Sequence, residues 1–381
     1  MRLALDVRTV GERGSGVGNY VRHLLAGLRR GLPQHDYHLI HAPGNLEALG
    51  EDPCPDLYLG TRFGQESHPL GDLWEHLVLP RRLAARAIEV LHGPCVIIPL
   101  GRTAFAKVAT IHDLVPLLYP ETIPKKYEIY MAWLLKRVAR AADRLIAVSS
   151  HTKDDLVRVL GVDPVRVAVV HEAPQPAFKP VADPVLLAAV KRRQGITKPF
   201  FLHVGNLEPR KNQVRLVRAF LSLAPELKGG FQLVLAGQKG WLTAGIERQM
   251  SELAPGADVI STGYVPLDEL VLLMNAAEAF VFPSLYEGFG LPVLEAMSCA
   301  TPVITSNISS LPEIAGQAAL LVDPYDHEDI ARAMLAVATD RDLRERLAGE
   351  GKARAGGFTW DRAAAETMAV YEEAAREKRR R

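Results

Sequence analysis

The sequence predicts an α/β protein built from two doubly wound, parallel-sheet domains. Three observations carry that prediction. Short apolar runs alternate with longer amphipathic stretches along the whole chain, the pattern of parallel strands joined by crossover helices. The alternation restarts after a proline-rich bridge, Ala173-Pro174-Gln175-Pro176-Ala177-Phe178-Lys179-Pro180. At 381 residues the chain also exceeds what one core ordinarily organises.

In order, residues 3–7, 37–41, 90–92, 107–111 and 145–149 read as strands of the first domain, and 17–30, 74–86 and 124–142 as its helices. Beyond the bridge, strands are expected at 200–204, 232–236, 259–262, 279–282, 303–304 and 319–322. Gly356-Gly357 then precede an amphipathic helix over 360–376 and a basic tail, Lys378 to Arg381. The expected division is 1–180, 181–357, and a closing segment 358–381 that packs back on the first domain. Ligands of such sheets sit beyond the carboxyl ends of the strands.

Apolar residues make up 48% of the chain and charged ones 23%, a globular balance. A net charge of +1 gives no global pull toward nucleic acid. Cys54, Cys95 and Cys299 are scattered and form no C-x-x-C pair, which argues for reduced thiols and against a zinc site or disulfide frame. Asp6 interrupts the N-terminal apolar run too early for a signal peptide. No apolar run approaches the ~18 residues that span a bilayer. The expectation is a cytoplasmic protein, at most peripheral to the inner face of a membrane.

The most informative stretch is Pro283 to Ala296, P-S-L-Y-E-G-F-G-L-P-V-L-E-A, directly after the apolar run 279–282. Its glycine turn opens a helix with Pro292 near the start, where a missing N–H costs little. Backbone amides at Gly288, Phe289, Gly290 and Leu291, where glycine permits close approach, make an anion site. Glu287 on the loop and Glu295, expected in the first helical turn, bracket that site. A carboxylate repels phosphate, so these acids suit hydroxyl groups instead. Amides for phosphates beside acids for hydroxyls suggest a nucleotide-sugar pocket.

Arg210-Lys211 lies where strand 200–204 hands over to a helix. Two cations there can neutralise a diphosphate, arginine by a fork of donors and lysine as a point charge. The Gly14-Ser15-Gly16-Val17-Gly18 loop follows the first strand, and its spacing is not that of a dinucleotide fingerprint. His112 ends strand 107–111. Its neighbour Asp113 suits an Asx turn, and Ser149 and Ser150 suit a helix N-cap. Lys125, Lys126, Tyr127, Tyr130, Trp133, Lys136 and Arg137 share one candidate helix, either half-buried with a solvated basic face or lying on anionic lipid.

These residues together resemble the retaining glycosyltransferases of family 4, with the GT-B fold of two Rossmann-like domains facing a central cleft. The resemblance runs through the glycine loop, Ile111-His112-Asp113, Ala147-Val148-Ser149, Val204 to Asn212, Gly263-Tyr264-Val265 and the Glu287 to Glu295 segment. The first half is similar to the mannosyltransferase branch that uses GDP-mannose. The resemblance implies that Glu295 holds the ribose hydroxyls and Glu287 a hydroxyl of the transferred sugar. It implies donor-phosphate contacts from the amides of Gly16 and Gly18, and nucleobase contacts from Tyr264 and Val265. His112 is expected near the sugar's primary hydroxyl. Many members carry arginine where this chain has Asn206, itself expected among the donor-binding residues, so either Arg210 covers that charge beside Lys211 or the diphosphate is held differently.

The expected reaction moves a hexose, mannose favoured, from a nucleoside diphosphate sugar to an acceptor hydroxyl with the anomeric configuration retained. His112, Glu287, Arg210 and Lys211 are the expected catalytic set. No cofactor and no metal are expected, and no nucleic-acid partner. The acceptor is a saccharide, a lipid-linked or a small molecule, read by residues 61–73 and the helix 74–86, which hold no interpretable code. Alternatives that stay open are a UDP- or ADP-hexose donor, a nucleotide-sugar epimerase, and a non-catalytic sugar-nucleotide binder. A dinucleotide-dependent dehydrogenase is disfavoured by the glycine spacing.

Overall fold

The structure, a computed structural model, describes all residues except 12–15, 43, 50–57, 62–73, 224, 254–257 and 381. Gly14, Ser15, Cys54, Arg381 and nearly all of the 61–73 acceptor segment therefore lie outside the described residues. The chain divides into two compact units. Residues 1–117, 129–172 and 359–381 form one, and 118–128 with 173–358 the other. The short segment 118–128 joins the second unit through aromatic contacts. The Tyr119 hydroxyl donates to the Leu285 carbonyl at 3.2 Å, its ring lies 5.1 Å from that of Tyr286, and the Tyr127 ring meets Trp241 at 4.7 Å.

The first unit holds β1 (Arg2–Asp6), β2 (Asp36–His41), β3 (Tyr58–Gly60), β4 (Val90–Gly93), β5 (Ala106–Ile111), β6 (Arg144–Ala147) and β7 (Val167–Val169). They form one sheet in the order β3-β2-β1-β4-β5-β6-β7, with every pair parallel. The order reverses direction between β1 and β4, the switch point where ligands of such sheets bind. β4, β5 and β6 are buried along their whole length, as strands covered on both faces must be. β3 and β7 are additions to the expected strands. Each is a three-residue edge strand, too short to give an alternation signal.

The helix Gly16–Gly31 starts before the expected 17–30, so Gly16 and Gly18 sit inside its first turn rather than in a loop. The expected helix 74–86 is two pieces, a π-helical turn Trp74–Val78 and an α-helix Leu79–Ala85. Pro80 explains the break, having no N–H to bond back one turn. The last helix, Trp360–Arg380, packs on Gly16–Gly31 and β5. Gly27 permits that approach, since a Cβ there would stand 2.8 Å from the Trp360 carbonyl oxygen. This helix outruns the expected end at 376. Its basic end continues helically because cations favour a helix C-terminus and find acids, Lys378 meeting Asp143 and Arg379 meeting Glu89, while Glu377 of the same turn meets Arg144 of β6.

The second unit holds β8 (Phe200–Val204), β9 (Gln232–Ala236), β10 (Val259–Gly263), β11 (Ala279–Phe282), β12 (Val303–Ser306) and β13 (Leu320–Val322). Their order is β10-β9-β8-β11-β12-β13, again all parallel. The core beneath it gathers Phe201, Leu216, Phe220, Leu233, Val281, Ile304 and Met334, all fully buried. Here the order reverses between β8 and β11. The loops that leave these two strands carry Arg210-Lys211 and Glu287.

Candidate active site

Across that switch point the second unit brings Arg210, Lys211 and Glu287 together. After β8 the chain makes a short 3-10 turn, Pro209–Lys211, with proline where no donor is needed. The turn is stapled to the loop after β11. Leu285 N–H donates to the Arg210 carbonyl at 2.9 Å, and Ser284 Oγ lies 3.1 Å from the same oxygen. Asn212, in the left-handed region at φ 64°, donates through Nδ2 to the Pro283 and Pro324 carbonyls at 2.9 and 2.7 Å. Asparagine tolerates that conformation better than most residues, so one side chain ties three loops.

Glu287 concentrates its partners on one atom. Its Oε1 lies 2.8 Å from Arg210 Nη1 and 2.7 Å from Lys211 Nζ, and accepts from Ser284 Oγ at 2.6 Å. Among the described residues no hydrogen bond falls on Oε2. Burial pushes the Glu287 carboxyl up, but the Arg210 and Lys211 charges and the two hydrogen bonds overcome it, holding the group down at about 2. Burial pulls the Lys211 ammonium below its ordinary value, opposed by Glu287, and its Nζ lies 4.9 Å over the Phe282 ring. Glu208 stands 3.5 Å from Arg210. The charge of the two cations is thus met within the chain, an arrangement that separate roles for Arg210-Lys211 and Glu287 do not anticipate.

The loop itself is fixed by serines. Ser309 Oγ donates to the Glu287 carbonyl and accepts from Glu287 N–H at 2.8 Å. Ser310 Oγ donates to the Phe289 carbonyl at 2.6 Å and lies 2.9 Å from that of Glu287. Gly288, Phe289 and Gly290 are buried. Gly290 caps the next helix at φ 123°, where a Cβ would also press to 3.0 Å from Leu311, so only glycine fits. The helix is Leu291–Ser298 with Pro292 at its start. Glu295 is its fifth residue and lies in the second turn, not the first. It is buried, and its Oε1 accepts from Gln175 Nε2 at 3.4 Å.

Asn206 is exposed, its carbonyl accepting from Gln213 Nε2 at 2.8 Å, and its side chain is not part of the charged cluster. Gly263 closes β10, and its carbonyl accepts from Gly237 N–H at 2.9 Å. Tyr264 is 61% exposed while Val265 is buried. A cavity of about 510 Å³ runs along β10 against the helix Thr243–Leu253, lined by Val259, Ser261 and Gly263 of the strand, Glu247, Met250 and Ser251 of the helix, and Leu207, Gly237 and Lys239.

In the first unit, His112 follows β5 and is held from both sides. Its Nδ1 lies 2.9 Å from Glu172 Oε1, its Nε2 2.8 Å from the Pro94 carbonyl, and its ring meets Tyr20 edge-on at 4.9 Å. Burial lowers this histidine, but Glu172, the Pro94 carbonyl and Asp113 outweigh it and leave it raised. Asp113 forms the Asx turn, accepting from Val115 N–H at 3.0 Å. Ser149 is the N-cap of the helix Ser150–Leu160, accepting from Thr152 N–H at 3.0 Å. Sequence reasoning missed Ser284, Ser309, Ser310, the tie made by Asn212, and Glu172. Ser284 alone carried a signal, three residues before Glu287.

Two family models match the chain, "Glycosyltransferase Family 4" over residues 14–173 and "Glycosyl transferases group 1" over 189–354. The chain is 33% identical over 301 residues to the O-antigen chain mannosyltransferase B of Escherichia coli, covering 77% of this chain and 78% of that protein. It is 32% identical over 269 residues to the serotype-specific mannosyltransferase WbdA of Escherichia coli, a match over 69% of this chain and 33% of that longer protein. Among solved structures, the sucrose-phosphate synthase of Thermosynechococcus elongatus superposes with a TM-score of 0.75 over 98% of both chains at 23% identity, a likeness of fold.

Proposed function

The chain belongs to glycosyltransferase family 4 and has the GT-B fold, and from that premise we propose that it transfers mannose from GDP-mannose to an acceptor hydroxyl, with retention of configuration. The observation that carries the proposal is the meeting of Arg210, Lys211 and Glu287 across the β8/β11 switch point. A diphosphate arriving there takes over the two cations, which then stabilise the charge that develops as the glycosidic bond breaks. Glu287, with Oε2 not engaged by the described residues, accepts from a sugar hydroxyl. Glu295 takes the ribose hydroxyls, and Tyr264 and Val265 contact the base. Gly16 and Gly18 approach the donor phosphates, and His112 the hexose. The mannosyltransferase names of the two relatives favour mannose. The acceptor is a saccharide, lipid-linked or small-molecule alcohol, and no metal or cofactor takes part.

A melting-temperature screen with GDP-, UDP- and ADP-sugars tests the donor. A ligand at ~100 Kd stabilises by about 2.7 kcal/mol, and a larger shift with a UDP-sugar than with GDP-mannose overturns the donor assignment. NMR of the first-formed product reads retention directly, and full turnover in EDTA is the expected result for metal independence. No described helix is long and apolar enough to cross a membrane. Ile129 and Trp133 on the helix Lys125–Ala141 are exposed, and contact with anionic lipid through that helix is part of the proposal. Sedimentation with anionic liposomes should fall when Lys125 and Lys126 are reversed to Glu, and equal sedimentation removes the membrane role.

A further inference from the structure

We infer that Glu172 is a positioning residue that holds His112 as a doubly protonated imidazolium, a fixed positive charge at the carboxyl end of the first sheet rather than a proton shuttle. The inference rests on the reading that His112 serves the donor site.

The donors and acceptors around the ring decide its charge. A carbonyl oxygen accepts and never donates, and an ionised carboxylate does the same. His112 places one ring nitrogen 2.8 Å from the Pro94 carbonyl and the other 2.9 Å from Glu172 Oε1. A neutral imidazole has a single N–H, so one nitrogen would turn its lone pair on an acceptor. Two N–H groups satisfy both contacts. The Glu172 side chain is 5% exposed, which strengthens a charge-assisted hydrogen bond relative to water.

The surroundings leave the charge on this ring. Tyr20, from the helix Gly16–Gly31, packs edge-on against it. Behind Tyr20 runs a chain of neutral polar groups: Tyr20 hydroxyl to Thr110 Oγ1 at 3.1 Å, Thr110 to His92 Nε2 at 2.8 Å, and His92 Nδ1 to the Tyr371 hydroxyl at 2.6 Å. His92, on neighbouring β4, is pushed down to about 3 by burial and by His112 itself. Among the described residues Asp113 is the other acid acting on the ring, and it caps its own turn. With both N–H bonds committed, His112 has no proton to trade with an acceptor alcohol. What it offers is charge and a fixed ring edge.

The test uses the full chain labelled with 15N-histidine. Both His112 ring nitrogens should report N–H at pH 7, and Glu172→Gln, which keeps the shape and loses the charge, should move the titration down by about one pH unit or more, a tenfold change in proton affinity. The kcat of the wild type should fall as pH rises past the raised value, and the fall should move by the same amount in Glu172→Gln. The donor KM should change little, and Glu172→Asp should restore part of the shift. A neutral His112 at pH 7, or a titration that ignores Glu172→Gln, overturns the charge assignment. A titration that moves while the kcat profile stays put overturns the positioning role. If His112→Gln also transfers at the wild-type rate, it is the placing of His112 in the donor site that fails.

Discussion

The two units treat buried charge differently. In the first, His112 is enclosed by acceptors: a carboxylate on one nitrogen, a carbonyl on the other. In the second, Arg210, Lys211 and Ser284 all converge on one oxygen of Glu287 while its other oxygen takes no hydrogen bond among the described residues. The first arrangement uses every donor it has and resists exchange. The second holds two cations on one anion, so a ligand with more negative oxygens can replace that anion. A fixed charge and an exchangeable one are different instruments. Two perturbations test the exchangeable one.

Glu287→Gln is the most severe. Removing one partner of a buried ion pair costs about 3–5 kcal/mol because the remaining charge has no compensation. Here two cations are left, so the unfolding transition of the variant should drop markedly at pH 7. The sign against pH is fixed by the lowered carboxyl. Its contribution is whole above the ordinary value of 4.5 and is lost as pH falls toward about 2. The gap between wild type and Glu287→Gln should therefore close between pH 4.5 and 2, and a gap that stays constant over that range refutes the ion-pair account.

Lys211→Ala comes next and acts on the reaction. Glu287 keeps Arg210 and Ser284, so the carboxylate remains paired and the fold survives. Transfer should fall on the order of 10²–10³, the loss of one preorganised electrostatic donor. If Lys211→Ala turns over at the wild-type rate, the exchangeable-cation picture is gone, while the account of His112 stands.

The sequence made some of this legible and hid the rest for physical reasons. The second unit's strands stood out at 200–204, 232–236 and 279–282 because each is a short run with at most one polar residue, His203 in the first and Gln232 in the second. β3 and β7 did not, since three edge residues carry no periodicity. Arg210, Lys211 and Glu287 announced themselves by residue type and by place after a strand. Their mutual pairing spans 76 positions, and a contact of that separation leaves no local trace. Glu172 is 60 residues from His112 and sits at the edge of a proline-rich bridge, where an acid reads as solvated. Glu295 falls in the second turn because the helix already begins at Leu291, directly after the Gly290 cap, so four helical residues precede it.

Gly16→Ala is the mildest change and the most discriminating, because the two glycine sites differ in what requires the glycine. Gly290 sits at φ 123° with Leu311 against it, so alanine there strains the backbone whether or not a ligand binds. Gly16 has no such constraint. It is the first residue of its helix, and a Cβ would meet none of the described atoms within 4 Å. Alanine should be neutral for the fold or raise stability by up to about 1 kcal/mol, through the lower entropy of the unfolded chain and better helix propensity. If the glycine serves only the close approach of a donor phosphate, Gly16→Ala melts no earlier than the wild type yet shows a weakened donor KM. Unchanged KM alongside unchanged melting would mean that no ligand approaches this turn, and the donor's phosphate contacts would then fall to the second unit alone.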